Sequence, residues 1–301
     1  MKAAFLPDRG IVKVSGADAR TYIDNLITTD IDLLHPGLAR FGALLTPQGK
    51  IIADFLVTQA PDRLGGGLLF DCPKTLAQPF ADRLGFYKLR AKVTVENVSD
   101  EFGVLAVWDG EPPVKPDLTF ADPRNAALGW RILVPLALAQ NAADAIGAQM
   151  TDERAYEAHR IGCGVPRGGI DFIYGDAFPH ETNMDRLHGV DFDKGCYIGQ
   201  EVVSRMQHRG TARTRILPVT FDGSAPEPGT AITAGDKSIG TMGSSAHSAG
   251  QGQGEQNIGL ALLRTDRASD ALDAGLQLIA SGIPILLVSP DDVRAATKAS
   301  A

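Results

Sequence analysis

The amino-acid sequence predicts an α+β region followed by a small β-barrel or sandwich. Strand-like and helix-like periods intermingle up to about residue 214, the pattern of helices layered on sheets. From Arg215 onward the texture changes to short apolar runs separated by Gly, Pro, Ser and Asp, which reads as strands and turns. The length of 301 residues, with 44% hydrophobic and 22% charged residues, is globular composition with room for two or more cores. A single boundary is therefore set near Thr214, dividing the chain into 1–214 and 215–301.

Ile11 to Val14 alternates as a short strand, and Ser15 with Asp18 three residues on resembles a helix capping box. Ala19, Tyr22, Ile23 and Leu26 then recur at helical spacing. Phe41–Leu45 and Ile51–Thr58 read as strands joined by the turn Thr46-Pro47-Gln48-Gly49-Lys50. Leu68 to Asp71 reads as another strand, and Leu76, Phe80 and Leu84 mark a helix entered at Pro73. Lys92–Val98 and Phe102–Trp108 read as strands, and the Pro-rich stretch Glu111–Pro116 as a connection. Gly129–Val134 reads as a strand and Asn141–Ala148 as part of a helix. Thr151 is placed to cap a further helix carrying Arg160 in its last turn. Beyond Arg215, strands are expected at 216–221, 231–233, 238–242, 258–263, 276–280 and 283–288. The Gly/Ser/Gln stretch Gly243–Asn257 is expected to be a flexible loop.

The apolar start Met1–Leu6 ends at Pro7, too short for a secretory signal, and no apolar run reaches the roughly 20 residues of a membrane helix. A cytoplasmic protein without membrane contact is the expectation. Cys72, Cys163 and Cys196 form no Cys-x-x-Cys pair and read as free thiols. A net charge of −7 argues against a general nucleic-acid coat. Locally, Lys194, Arg205, Arg209, Arg213 and Arg215 face only Glu201, with His208 in addition. That cluster reads equally as an anion site or as a solvated helix face.

The chemistry concentrates between Gly168 and Gly210. Lys194-Gly195-Cys196-Tyr197-Ile198-Gly199 reads as a turn, and Gln200–Arg209 as a short helix stopped by Gly210. Cys196 would precede a helix N-terminus with Lys194 beside it, and both features favour a thiolate. A small buried apolar cysteine is the competing reading. Glu201, in the first turn, could accept paired hydrogen bonds from a flat heteroaromatic ring such as a pterin, or simply complement the helix dipole. No base stands at local spacing from the thiol. His180-Glu181-Thr182-Asn183-Met184 lacks the second histidine of a zinc helix, and Asp191-Phe192-Asp193 lacks the closing ligand of a calcium loop. Gly250–Gly254 opens no helix, so it is no dinucleotide fingerprint.

Lys194-Gly195-Cys196-Tyr197-x-Gly199-Gln200-Glu201 resembles the signature octapeptide of the YgfZ family, relatives of the glycine-cleavage T-protein aminomethyltransferases. Ser15–Asp18, Ile27–Ile31, Gly49-Lys50, Phe86–Val95, Pro179 with Asn183, and Arg209-Gly210 extend the resemblance over nearly the full length. It implies a T-protein-like folate-binding α+β region in subdomains, followed by an antiparallel barrel. It also implies tetrahydrofolate as cofactor and iron–sulfur client or assembly proteins as partners, with no role for nucleic acid. The site residues it carries over are Cys196 as functional thiol, and Lys194, Gly195, Tyr197, Gly199, Gln200, Glu201, Asn183, Arg205 and Arg209 around the folate. The function implied is support for assembly or repair of [4Fe–4S] proteins. The alternative is a folate-dependent aminomethyl or one-carbon transferase. Against that alternative, the transferases' Asn-Ala…Lys-Asp segment is missing, and Glu96–Asp100 is a poor substitute. An RNA-binding module is a third class, opposed by the overall acidity.

Overall fold

The computed structural model describes residues 1–210, 212–247, 257–291 and 293. The chain divides into two compact units, Met1–Tyr156 with Asp185–Gln200, and Glu157–Met184 with Glu201–Ala301.

The first unit holds β1 (Lys2–Phe5), β2 (Arg9–Ser15), α1 (Ala19–Asp24), β3 (Ala39–Leu45), β4 (Ile51–Gln59), β5 (Leu68–Pro73), α2 (Lys74–Tyr87), β6 (Thr94–Asn97), β7 (Phe102–Trp108), β8 (Thr119–Ala121), β9 (Trp130–Pro135), α3 (Ala139–Ala145), β10 (Gln149–Thr151) and the start of α4 (Glu153–Gly162). Its strands form two five-stranded sheets, ordered β3-β4-β5-β2-β6 and β10-β1-β7-β9-β8. Only the β1–β10 pair is parallel. Helix α2 buries Ala77, Phe80, Ala81 and Leu84, the i, i+3, i+4, i+7 face of an amphipathic helix. Phe80 seats between Phe55 and Phe70, with ring centroids 5.3 and 5.5 Å away. That trio anchors a core shared with Ile23 and Ile27.

Several local expectations are corrected. Ser15 ends β2 instead of capping α1; Asp18 precedes the helix and makes no side-chain cap bond. Its carboxylate accepts the Lys92 N–H at 2.7 Å instead. Thr151 ends β10, and Asp152 caps α4 through the Ala155 N–H at 2.9 Å. The apolar start of the chain is a sheet strand, β1.

The second unit holds α5 (Gln200–Arg209) from its second residue on, then β11 (Thr214–Phe221), β12 (Ala231–Ala234), β13 (Lys237–Ala246), β14 (Asn257–Arg264), α6 (Thr265–Asp273), β15 (Leu278–Ala280) and β16 (Ile283–Leu287). The six strands close into an antiparallel barrel ordered β11-β14-β13-β12-β15-β16, sealed where Val219 and Thr220 pair with Leu287 and Leu286. Closure leaves no strand edge unpaired. Val219, Phe221, Ile232, Met242 and Leu263 fill the core, which Ala268 and Ala271 of α6 join. Part of the expected loop is therefore strand. Gly243–Ala246 belong to β13 and Asn257 opens β14, while residues 248–256, including Gly250–Gly254, lie outside the described residues. Asp171 explains why β13 continues: its Oδ1 accepts both the N–H and Oγ–H of Ser244 at 2.7 Å. Arg160 donates to Asp171 Oδ2 at 3.2 Å and to Ser244 Oγ at 3.0 Å.

Candidate functional site

Within the first unit, the stretch before α5 is tied to the turn that follows α1. Thr28 and Thr29 are fully buried. The Thr28 hydroxyl donates to Gly189 O at 2.6 Å and accepts the Ala43 N–H at 2.9 Å, and Thr28 O accepts the Asp191 N–H at 2.8 Å. Arg40 bridges Thr29 Oγ1 and the Asp191 carboxylate at 2.9 and 3.2 Å. Lys194 completes the tie. Its buried ammonium donates to Asp24 O, Asp24 Oδ1, Ile27 O and Thr29 O at 2.6 to 3.0 Å. A lysine has three N–H donors, so four acceptors engage it fully. Lys194 thus faces inward as an anchor, and its charge is satisfied there.

The chain then turns outward. Gly195 and Cys196 are exposed, and Tyr197 is buried again. The Tyr197 ring lies 5.6 Å from the Lys194 ammonium; burial, reinforced by Asp191, pushes its hydroxyl above the usual tyrosine range. Gly199 has φ +83°, and a Cβ there would stand 2.6 Å from Thr46 O and 3.1 Å from Gly49 Cα. No other residue fits that approach to the β3–β4 turn. That turn is closed by Gly49 N–H to Thr46 O and Thr46 N–H to Lys50 O, each 2.8 Å. Cys196 therefore stands between two fixed points, Lys194 and Gly199.

In the second unit, Glu201 lies in the first turn of α5 with its side chain 90% exposed, paired to Arg205 at 2.8 Å. Arg209 is exposed at the other end of the helix. Asn183 takes φ +61°; its amide donates to Ile216 O at 2.7 Å, and its Oδ1 is buried without a hydrogen-bond partner among the described residues. His180 meets Gln207 at 2.9 Å and Glu181 accepts the Phe178 N–H at 2.8 Å. The five-cation cluster does not form one face: Lys194 is buried, and so is Arg215, which donates to His180 O at 2.6 Å. A cavity of about 370 Å³ is lined by Phe178, Glu181, Val202, Met206, Arg213, Thr214 and Arg264.

A buried charge cluster in the first unit escaped the sequence reading. Asp122 binds Arg124 at 2.7 and 2.9 Å and faces Arg131 at 3.4 Å. Asp71 takes Arg9 at 2.5 Å and lies 3.6 Å from Arg131, which also donates to the Tyr156 hydroxyl at 2.8 Å. Burial alone would raise the Asp122 carboxyl, but Arg124 and then Arg131 outweigh it and hold it at about 2. Nearby, burial pushes the Cys72 thiol up to about 12, so that cysteine is inert. Cys163 lies 3.8 Å from His159 across one helical turn. Apart from Asp122 and Arg124, two positions apart, the members of the charge cluster lie apart in the sequence, with no spacing that announces their meeting.

Residues 213–295 match the family described as the CAF17 C-terminal beta-barrel domain. The iron-sulfur cluster assembly factor IBA57 of Homo sapiens, named as mitochondrial, is 32% identical over 289 residues, covering 89% of this chain and 78% of that protein. The chain belongs to the IBA57 family. The IBA57 homolog of Mycosarcoma maydis is 33% identical over 232 residues, covering 73% of this chain and 57% of its own length. The crystal structure of glycine cleavage system aminomethyltransferase T from Bartonella henselae matches with a TM-score of 0.73 over 96% of this chain and 85% of that one, at 14% identity. That likeness establishes the T-protein-like fold. The IBA57 relatives are named as mitochondrial, which overturns the expected cytoplasmic location. The expectation rested on the absence of an apolar leader, and such an absence does not assign a compartment.

Proposed function

We propose that this member of the IBA57 family acts in iron–sulfur cluster assembly, with Cys196 as its working thiol and tetrahydrofolate as its cofactor, as the YgfZ-type octapeptide implies. The observation that carries the reading is an exposed thiol held between the Lys194 anchor and the Gly199 contact. Thiolates are the preferred ligands of iron–sulfur clusters, which ordinarily take four of them. One exposed cysteine leaves the remaining positions to a client or assembly protein, so the thiol is suited to transient contact with a cluster held elsewhere. The names of the relatives support the same process.

For the folate, the donor and acceptor chemistry fits. A pterin edge carries N–H donors, and Asn183 Oδ1 is a buried acceptor without a partner among the described residues; the Gln200 amide oxygen and the Glu201 carboxylate, both on α5, are further acceptors. Arg205 and Arg209 are exposed cations suited to the carboxylates of the glutamate tail. Lys194, Gly195, Tyr197 and Gly199 shape the segment. When bound, tetrahydrofolate would supply a reduced pteridine able to carry one-carbon groups.

Two measurements separate the parts of this reading. Cys196→Ser should fold normally and bind folate, yet fail to restore [4Fe–4S] enzyme activity in cells lacking the wild-type protein; full restoration overturns the role of the thiol. Calorimetric titration with tetrahydrofolate should give saturable binding, weakened about tenfold or more in Glu201→Ala through loss of a charged hydrogen bond. Absence of binding by the wild type removes the folate while leaving the thiol reading intact.

A further inference from the structure

Arg83, Lys88, Arg90 and Lys92 place four cations and no acid within ten residues of a chain whose net charge is −7. This stretch ends α2 and forms the turn toward β6. Within it Phe86 is 76% exposed and Leu89 90% exposed, while the four cations are exposed around them. Cations at a helix C-terminus complement its dipole and need no partner to explain them. Two protruding large apolar side chains are not explained that way.

The tip is built, not frayed. Leu84 and Val93 are buried on either side of it, and Tyr87 rests against the same core. The Tyr22 hydroxyl donates to Leu84 O, and the turn is closed by Ala91 N–H to Lys88 O at 2.7 Å and Val93 N–H to Ala91 O at 2.9 Å. Leu89 takes φ +41°, a left-handed conformation disfavoured for a residue with a Cβ, and the side chain it holds out is apolar. Of the acids nearby in sequence, Asp82 takes the Gln78 amide at 2.8 Å and Glu96 is exposed on β6; Asp18, just before α1, takes the Lys92 N–H at 2.7 Å.

We propose that this tip docks the protein onto the surface of a membrane containing anionic lipid, with Phe86 and Leu89 entering the boundary between headgroups and acyl chains. The four cations would then face lipid phosphates. An apolar wedge inside a cationic ring is the arrangement by which peripheral proteins hold such surfaces, each signal being weak alone. Among the described residues no helix is long and apolar enough to cross a membrane, so the contact is superficial. The charge complementarity is local, since a chain acidic overall is otherwise repelled by an anionic surface.

The test uses the full chain and vesicles of phosphatidylcholine with or without phosphatidylglycerol, and it needs neither a cluster nor folate, so its outcome is separate from that of the iron–sulfur reading. The wild type should sediment with the anionic vesicles only, and less at high salt. Phe86→Ser/Leu89→Ser should lower the partition at least about tenfold. Lys88→Glu/Arg90→Glu should lower it more than about twentyfold, since each cation contributes about fivefold. Unchanged thermal transitions would show that both variants fold. Failure of the wild type to sediment overturns the proposal, as does sedimentation of either variant equal to that of the wild type. Capture on immobilised polyglutamate, or a concentration-dependent dimer, without vesicle binding would assign the tip to an acidic protein or to a second copy and overturns it too.

Discussion

Lys194 shows how a signature residue can serve by position. Its ammonium is enclosed by oxygens of Asp24, Ile27 and Thr29, so Lys194→Met takes the donor from the buried carbonyls of Ile27 and Thr29. The expected cost is about 3 kcal/mol or more, read as a lower denaturant midpoint at unchanged slope; a loss within measurement error would refute the anchor. Asp122 gives a pH signature. Its carboxyl is held at about 2, below the unfolded value of about 3.9. A depressed carboxyl stabilises the fold above its unfolded value and loses that contribution as pH falls toward its folded value. Stability should therefore decline between pH about 4 and about 2 more steeply in the wild type than in Asp122→Asn, measured by urea unfolding at each pH. Equal slopes would remove Asp122 from the acid limb. Neither residue's role was legible in the sequence. Lys194 reads there as a cation beside a thiol, because its partners lie 165 or more positions away, and Asp122 belongs to no motif.

At the level of elements, legibility followed side-chain size and period. The bounds of α5 were legible because glycines punctuate both ends, and the presence of α2 because Leu76, Phe80 and Leu84 repeat with the helix. Helix α6 was missed, since it buries only Thr265, Ala268 and Ala271, too little apolar mass to make a period. Strands β1 and β10 were missed because each is short and their pairing joins Lys2–Ala4 to Gln149–Thr151. The octapeptide was legible as a motif, whereas its contact with the β3–β4 turn was not. That contact carries a prediction: Gly199→Ala forces a Cβ to within 2.6 Å of Thr46 O at a positive φ. It should cost about 1 to 3 kcal/mol and speed proteolysis in the 189–200 stretch. Wild-type stability in this variant would mean the approach is not tight.

For the molecule as a whole, the chain passes between its two units after Tyr156, Met184 and Gln200, so neither is a continuous piece. The barrel strands lean on residues far upstream: Asp171 holds Ser244, Glu181 O accepts the Ile216 N–H at 3.1 Å, and Asn183 binds Ile216 O. A fragment of residues 215–301 lacks all three, and should melt broadly or fail to fold where one of residues 157–301 melts cooperatively, as followed by circular dichroism. Equal transitions would show that the barrel needs no support. The 170-residue separation between Asp24 and Lys194 also sets a timetable for the newborn polypeptide. At ribosomal speed the ammonium arrives roughly ten to thirty seconds after the carbonyls it must satisfy. Throughout that interval the carbonyls of Ile27 and Thr29 lack their lysine donor, and water has to satisfy them until the stretch that ends at Gln200 arrives.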